Sequence, residues 1–346
     1  MTRRAALAAV LALAGCLPSS QKQNSRAISP ADSASAALAE VAPVDTLDEV
    51  WTARAPEADP MPVPSSLGWA GDVLAVVESQ EGSVRRFSGA GAYLDRTDLP
   101  AGSYPYFAGA RGDTVVVFAR GRSALLWAVP GAGVAREVPT PAGATNALAA
   151  PGLLAARVGG GPDADAPAVV RLSETGAETA RQPLPGPAWR SVGFLRVWDG
   201  RLAALSGYRP VVDRVDVADG LGPADTLALA GFASPQLVRS AQYARGEVDE
   251  PPLLTSSAAA LDGRLFVLNL RSDHVRVDVY DRDGRLERVL VSPSRGLEID
   301  VALDLAARRG PDGDVELAVL LARPPGVFQT PESRVVLYRW RGAEGK

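Results

Sequence analysis

The sequence has very few of the side chains from which metal sites and covalent catalytic centres are built. Its 346 residues include one histidine, His274, and one cysteine, Cys16. Zinc sites made of Cys and His, Cys-His nucleophilic pairs and covalent haem attachment are therefore excluded. A Ser-His-Asp triad would have to use His274, and the sequence contains no Gly-x-Ser-x-Gly nucleophile elbow. We therefore expect His274 to cap or pack in a turn.

Helical periodicity and basic clusters are also missing. No stretch beyond the N-terminal segment sustains a 3.6-residue period, which disfavours α/β folds. The formal net charge is −4 at pH 7, and it becomes −6 if Arg3 and Arg4 are removed with a leader. An acidic chain without a cluster of Lys and Arg argues against nucleic acid as a partner.

The first fifteen residues have the composition of a targeting segment. Arg3 and Arg4 give a positive start, and the apolar run of residues 5–13 is far shorter than the ~20 residues of a membrane-spanning helix. Residues 13–16, Leu-Ala-Gly-Cys, resemble the bacterial lipobox. That resemblance implies cleavage after Gly15 and lipid attachment to Cys16, whereas an ordinary secretory signal would leave Cys16 incidental. We expect secretion across the inner membrane and a lipid anchor in the cell envelope, on the periplasmic or outer-membrane face.

A polar segment separates Cys16 from the part of the chain that carries strand patterns. Residues 16–44 are rich in Ser, Ala, Gln and Pro and show no periodicity, so we expect a flexible tether with a helical turn or two over residues 34–40. The remaining residues, 45–342, are predicted to form one folded domain.

Within this domain a short phrase recurs, consisting of a Gly, an apolar strand, a turn and a second strand. The glycines stand at positions 71, 112, 152, 200, 263 and 313, which are 41, 40, 48, 63 and 50 residues apart. A four-stranded propeller blade occupies about 40–50 residues. The repeat therefore predicts an all-β fold, a six-bladed β-propeller of four-stranded antiparallel blades. A β-sandwich and a seven-bladed ring are the alternatives, and residues 46–53 are expected to close the ring against the last blade.

Two copies of the phrase resemble the blades of NHL-type propellers. One comprises residues 273–281, Asp-His-Val-Arg-Val-Asp-Val-Tyr-Asp, with Gly284, and the other comprises residues 83–87, Ser-Val-Arg-Arg-Phe, with Gly91. The resemblance implies a six-bladed scaffold, and because a scaffold hosts many functions it does not identify one.

Aromatic and arginine side chains are concentrated in the segments that would connect the blades. Tyr, Trp and Arg are the residue types that carry most interface energy. Phe107 and Trp189 are expected to pack between blades. The candidate ligand- or partner-binding residues are Tyr104, Tyr106, Arg190, Tyr208, Arg209, Tyr243 and Arg245.

A metal could be held only by oxygen ligands near the axis of the ring, where Asn146, Ser191, Ser256, Glu298 and Asp300 are available. We predict no metal, cofactor or catalytic residue. The expected role is a binding or scaffolding module for an envelope protein, a glycan or another small ligand, acting as a monomer. The alternatives are a lactonase-like envelope hydrolase with an axial divalent cation, and a glycan sensor.

Overall fold

The structure, a computed structural model, describes residues 37–159, 166–186, 192–218, 220–271, 274–293, 300–323 and 332–342. The predicted leader, Cys16, Trp189, Arg190, Ser191 and Glu298 lie outside these ranges. Among the described residues, no helix has the length and apolar character needed to cross a membrane.

The strands are grouped in four-stranded antiparallel meanders, which we call A to F. Meander A contains β3 (Pro64–Ala70), β4 (Val73–Glu78), β5 (Ser83–Phe87) and β6 (Tyr93–Asp98). Meander B contains β7 (Pro105–Arg111), β8 (Thr114–Ala119), β9 (Ala124–Val129) and β10 (Gly133–Pro139). Meander C contains β11 (Ala144–Ala150), β12 (Leu153–Val158), β13 (Ala168–Leu172) and β14 (Glu178–Pro183).

The second half of the chain repeats the arrangement with strands from both termini. Meander D contains β15 (Gly193–Trp198), β16 (Arg201–Ser206), β17 (Val211–Val215) and β18 (Ala224–Ala228). Meander E contains β19 (Thr255–Leu261), β20 (Arg264–Asn269), β21 (Arg276–Tyr280) and β22 (Leu286–Val291), and β1 (Val44–Thr46) joins it as a fifth strand. Meander F contains β23 (Val301–Arg309), β24 (Val315–Arg323), β25 (Glu332–Trp340) and β2 (Asp48–Ala53).

The fold is an all-β propeller with four-stranded antiparallel blades. Meanders A, D, E and F are separate sheets, whereas B and C form one eight-stranded sheet. A single parallel bridge between Gly109 and Ala149 joins them. A side chain could not replace the hydrogen atom of Gly109, because its Cβ would lie 1.9 Å from the carbonyl oxygen of Ala149.

The first strands of the meanders surround a common axis. β3 lies against β7, β7 against β11, β11 against β15, β15 against β19, β19 against β23, and β23 against β3. Each pair of consecutive meanders encloses an apolar cluster, such as Val116 with Leu154 between B and C, and Phe266 with Leu317 between E and F. Burial of these side chains is the main favourable contribution to the stability of such a fold.

The turns explain why the recurring glycines are required. In the turns Asp199-Gly200 and Asp262-Gly263, both residues of each pair have positive φ, which is the geometry of a two-residue hairpin turn. Gly284 has a φ of 72° in the turn between β21 and β22, and its missing Cβ would lie 2.8 Å from the carbonyl oxygen of Ala228 in meander D.

The N-terminal part of the chain closes the ring. Strand β2 pairs antiparallel with β25 and so becomes the outer strand of meander F, which confirms the closure expected for residues 46–53. Trp51 extends this closure to meander A, because its indole Nε1 donates to the carbonyl oxygen of Gly89 at 3.0 Å. A helical turn at residues 37–41 and strand β1 precede β2.

The long connection between meanders D and E contains a short helix, α1 (Leu237–Ala244). Its inward side is fixed by Leu237, which packs against the apolar cluster between D and E, and by buried Ser240. The Ser240 hydroxyl donates to the carbonyl oxygen of Tyr208 at 2.7 Å. The helix is thereby held against the turn between the second and third strands of meander D.

Candidate functional site

The two ends of the propeller are built from different connections. One end, which we call the loop face, carries the segments between consecutive meanders and the turns between the second and third strands of each. The opposite end, the hairpin face, carries the turns between first and second strands and between third and fourth strands. The topology places Tyr104, Tyr208, Arg209, Tyr243 and Arg245 in connections of the loop face.

Charged side chains on the hairpin face pair across the boundaries between meanders. Asp262 binds Arg309 at 2.6 Å between E and F, and Asp199 binds Arg282 at 3.3 Å between D and E. The guanidinium of Arg308 in F stacks on the Trp69 ring of A, 3.6 Å from its centroid. Each exposed pair contributes little free energy, about 0–1 kcal/mol. These groups are nevertheless occupied by contacts within the protein.

Near the axis, polar side chains satisfy backbone groups on the inner edges of the neighbouring meanders. Such an edge exposes unpaired N–H and C=O groups, which are costly to bury without a partner. The Ser66 hydroxyl accepts from the N–H of Phe107 at 2.6 Å, and the Asn146 amide oxygen accepts from the N–H of Leu195 at 3.0 Å. These two axial side chains therefore hold adjacent meanders together.

The acidic group at the axis, Asp304, is engaged in the same way. Its carboxylate accepts from the N–H groups of Leu67 at 2.7 Å and Leu305 at 2.9 Å, and it lies 3.7 Å from the guanidinium of Arg196. Burial raises the pKa of Asp304, while Arg196 opposes that shift. Burial lowers the pKa of Arg196, which donates to the carbonyl oxygen of Ala258.

Of the oxygen ligands considered for an axial cation, Asn146, Ser256 and Asp300 lie within the described ranges. Asn146 caps a backbone N–H, Asp300 pairs with Arg323 and Arg334, and the Ser256 hydroxyl is buried without a hydrogen-bond partner. The described ranges contain no group of three or more His, Cys, Asp or Glu side chains that could hold a metal ion.

Three of the predicted binding residues, Tyr208, Tyr243 and Arg245, lie at the boundary between meanders D and E. Tyr208 is half-buried beneath α1, and burial raises the pKa of its phenol, with the nearby Tyr243 raising it further. The two phenols are therefore close enough to interact. Arg245 follows α1, is 53 % exposed and pairs with Glu247 at 2.7 Å. On the outward side of the helix, Val238 is 71 % exposed.

The other predicted binding residues lie elsewhere. Tyr104 is 55 % exposed between meanders A and B, with a φ of 45°, and its ring covers Gly121. Tyr106 is half-buried and packs against the apolar cluster between B and C. Phe107 packs between A and B against Gly68, which confirms the packing expected for it.

The helix α1 itself was not predicted, although Tyr243 within it was a predicted binding residue, because its pattern covers a single short element. Leu237, Ser240 and Ala244 recur at intervals of three and four residues, which is the spacing of one helical face. Eight residues of this pattern are too few to indicate a helix against a background of strands. The contact of Ser240 with Tyr208 depends on tertiary structure, so no sequence signal marks it.

A shallow pocket of about 430 Å³ lies away from these residues, on meander C. Arg171, Ser173, Thr179 and Gly152 are among the residues that line it, together with Gly220 from meander D. The Arg171 guanidinium donates to the carbonyl oxygen of Val217 at 3.2 Å, and the Thr179 hydroxyl donates to the backbone of Arg171. The polar groups of this pocket are thus engaged in contacts within C and with the neighbouring meanders.

Comparisons with known proteins identify the fold. No described protein family matches the sequence, and no curated protein is significantly similar to it. A catalytically inactive virginiamycin B lyase from Staphylococcus aureus, solved with quinupristin, is 9 % identical with a TM-score of 0.52, covering 84 % of this chain and 99 % of that chain.

Two further solved structures have the same degree of similarity. A putative exported protein from Bacteroides fragilis is 10 % identical with a TM-score of 0.52, covering 86 % of this chain and 94 % of that one. A calcium-binding protein, regucalcin, from Agrobacterium tumefaciens is 13 % identical with a TM-score of 0.50, covering 87 % and 97 %. At these identities the similarity establishes the propeller fold alone.

Proposed function

We propose that the protein is a lipid-anchored, six-bladed propeller of the bacterial cell envelope that binds a partner through its loop face. The count of six rests on the cyclic contacts of the six first strands and on the apolar cluster between each consecutive pair of meanders. Meanders B and C count as two blades because one bridge joins them. The NHL-like pattern of residues 273–281 supports the same count.

The observation that carries the binding proposal is the docked helix between blades D and E. A connection of more than twenty residues is longer than most links in compact domains, and such links are commonly functional. Here α1 is fixed from below by the bond of Ser240 to Tyr208, while Val238 and Arg245 face solvent. An ordered backbone that presents exposed apolar and charged side chains beside two tyrosines is suited to recognising a partner at low entropic cost.

Polar side chains at the axis and on the hairpin face are engaged in contacts within the protein, which also favours the loop face as the binding surface. Asp304, Asn146 and Ser66 bind backbone groups around the axis, and Asp199 and Asp262 bind arginines on the hairpin face. Replacing those contacts by a ligand would cost the interactions that join the blades. On the loop face at D and E, Val238 and Arg245 are instead largely exposed to solvent.

Affinity purification of the detergent-solubilised protein from its host tests the proposal. We expect an envelope protein to be recovered in stoichiometric amount. The variant Tyr243→Ala with Arg245→Ala should recover at least about tenfold less of this partner, as expected for a pair of hot-spot residues. The control variant, Arg264→Ala with Glu287→Ala, removes an exposed ion pair from the rim of blade E. Equal recovery by both variants would show that the site is misassigned, and calcium bound without a partner would favour the hydrolase alternative.

Lipid attachment is tested separately. The variant Cys16→Ser should lose its acyl modification, measured by mass spectrometry of the N-terminal peptide, and should leave the membrane fraction. Two acyl signals are generally needed for stable anchoring, and a lipoprotein N-terminus supplies them. If the N-terminal peptide of the wild-type protein carried no lipid, the anchoring proposal would be wrong, whereas the binding proposal would be unaffected.

A further inference from the structure

Blade E differs from blades A, D and F at its outer edge. The sheets of A, D and F end at four strands, whereas β1 adds a fifth strand to E in parallel with β22. This strand belongs to a segment, residues 37–47, which we call the strap. The strap precedes β2, so it is not itself the strand that closes the ring.

Three apolar side chains of the strap are packed against the propeller. Leu38 occupies the space above Gly231, with its Cγ 3.2 Å from the position that a Cβ of Gly231 would take. Ala42 is 8 % exposed in the cluster between D and E, and Leu47 is 1 % exposed in the cluster between E and F. These side chains therefore enter the apolar clusters on both faces of blade E.

Main-chain bonds hold the strap as an added strand. The N–H of Val289 donates to the carbonyl oxygen of Pro43 at 2.9 Å, and the N–H of Leu47 donates to that of Val291 at 2.8 Å. The carboxylate of Asp45 accepts from Arg288 at 3.2 Å and from the indole of Trp340 at 3.0 Å. Backbone pairing plus pockets for alternate side chains is the mode by which sheet edges bind extended peptides.

The strap is held less extensively than the strand that follows it. Its paired part spans three residues, while β2 pairs over six. Two of its apolar side chains face solvent, with Val41 74 % and Val44 64 % exposed. Short edge strands with exposed side chains open more readily than the rest of a fold. Opening of residues 37–47 would leave the closure by β2 and Trp51 intact.

From these observations we propose that the outer edge of blade E is a docking site for a peptide, occupied at rest by the chain's own strap. The external peptide would take the conformation of the strap, a helical turn followed by a short strand parallel to β22, and place Leu, Ala and Leu at the positions of Leu38, Ala42 and Leu47. The strap then competes with the partner, and its open fraction sets the partner's apparent affinity. This site is separate from the loop face and does not depend on the binding proposed there.

A labelled peptide with the sequence of residues 37–47 tests the proposal by fluorescence anisotropy. The protein is the full chain with Cys16→Ser, Val44→Cys and Val289→Cys, whose two new thiols lie at directly paired positions. The reduced chain should bind the peptide, and oxidation should weaken binding at least about tenfold, because an open state populated at roughly 0.1–10 % is removed. Equal binding by the two forms, or no saturable binding to the reduced form, would overturn the proposal.

A second variant keeps the test independent of disulfide formation. Leu47→Asp in the full chain weakens the strap and should raise the affinity for the wild-type peptide about tenfold or more, since the competent fraction increases. The matched control is a peptide carrying the same Leu47→Asp change, which should not bind. If the Leu47→Asp chain binds the peptide no better than the unaltered chain, the outer edge of blade E is not a peptide site.

Discussion

The closure of the ring by Trp51 makes a quantitative prediction about stability. The indole lies across the turn of blade A, with its Cδ2 2.9 Å and its Cε3 3.0 Å from the position that a Cβ of Gly91 would take. Its Nε1 donates to the carbonyl oxygen of Gly89 at 3.0 Å. One side chain on β2 of blade F thus joins the last blade to the first by packing and by a hydrogen bond.

The cost of removing this side chain follows from its contacts. Complete burial would make a Trp→Ala change cost about 3–5 kcal/mol, and Trp51 is half-buried, so the packing loss is about 2 kcal/mol. The hydrogen bond adds about 1 kcal/mol. We expect Trp51→Ala to lower the free energy of unfolding by about 2–3 kcal/mol and Trp51→Phe, which keeps a ring, by about 1 kcal/mol.

Urea unfolding followed by circular dichroism measures these changes. Val50→Ala is the matched control, because Val50 is the neighbouring residue on β2 and is 40 % exposed; we expect a change within about 0.5 kcal/mol. A Trp51→Ala variant as stable as the Val50→Ala variant would refute the closing role.

Gly91→Ala provides an independent check on the same contact. Gly91 has a φ of 84°, so alanine is strained there even without a clash, by about 1–2 kcal/mol. In the wild-type background the new Cβ also meets the indole of Trp51, whereas in the Trp51→Ala background it does not. The two changes should therefore be non-additive, with the double variant more stable than the sum predicts. Strict additivity would contradict the packing described.

Two further predictions concern carboxylates that bind neighbouring donors. Asp304→Ala leaves the N–H of Leu67 without its acceptor and Arg196 without its nearby carboxylate. We therefore expect the free energy of unfolding, measured in urea, to fall by about 3–5 kcal/mol. Asn146→Ala, which removes the acceptor of one N–H, is the comparison and should cost about 1–3 kcal/mol. At Asp59, burial alone would raise the pKa of the carboxyl group. Hydrogen bonds donated by Tyr93, Arg96 and Arg85 have the larger combined effect, and the pKa is lowered. A carboxyl with a lowered folded pKa stabilises the fold above its unfolded pKa, so wild-type stability should fall as the pH drops below about 4, and Asp59→Asn should lack that part of the decrease.

The positions of the blades could be predicted from the sequence because each depends on local chemistry. Gly71, Gly200 and Gly263 each have positive φ and each precede a second strand, so a turn signal followed by an apolar run marks every such hairpin. The closing strand could also be predicted, since an open ring leaves two unpaired edges that a terminal segment must cover.

The contacts around the axis and on the loop face could not be predicted. Asn146 and Asp304 cap backbone groups on the next blade, 49 and 237 residues away in the chain, and nothing local to either residue indicates that partner. The joining of B and C required the absence of a side chain at Gly109, which in sequence reads as an ordinary strand glycine. Among the candidate binding residues, Tyr208 and Tyr243 proved to be neighbours, although 35 positions separate them.

Successive residues of the N-terminal segment contact different blades of the propeller. Leu38 and Leu47 pack on blades D to F, Trp51 packs on blade A, and Asp59 binds Arg85 of the same blade at 2.7 Å. If Cys16 carries the proposed lipid anchor, tension from it would act first on the strap, whose pairing is short, and only afterwards on β2. Release of the strap would add eleven residues to the tether, at most about 36–40 Å when fully extended, without opening the ring. A propeller anchored in this way could expose the outer edge of blade E and reach further from the membrane in the same step.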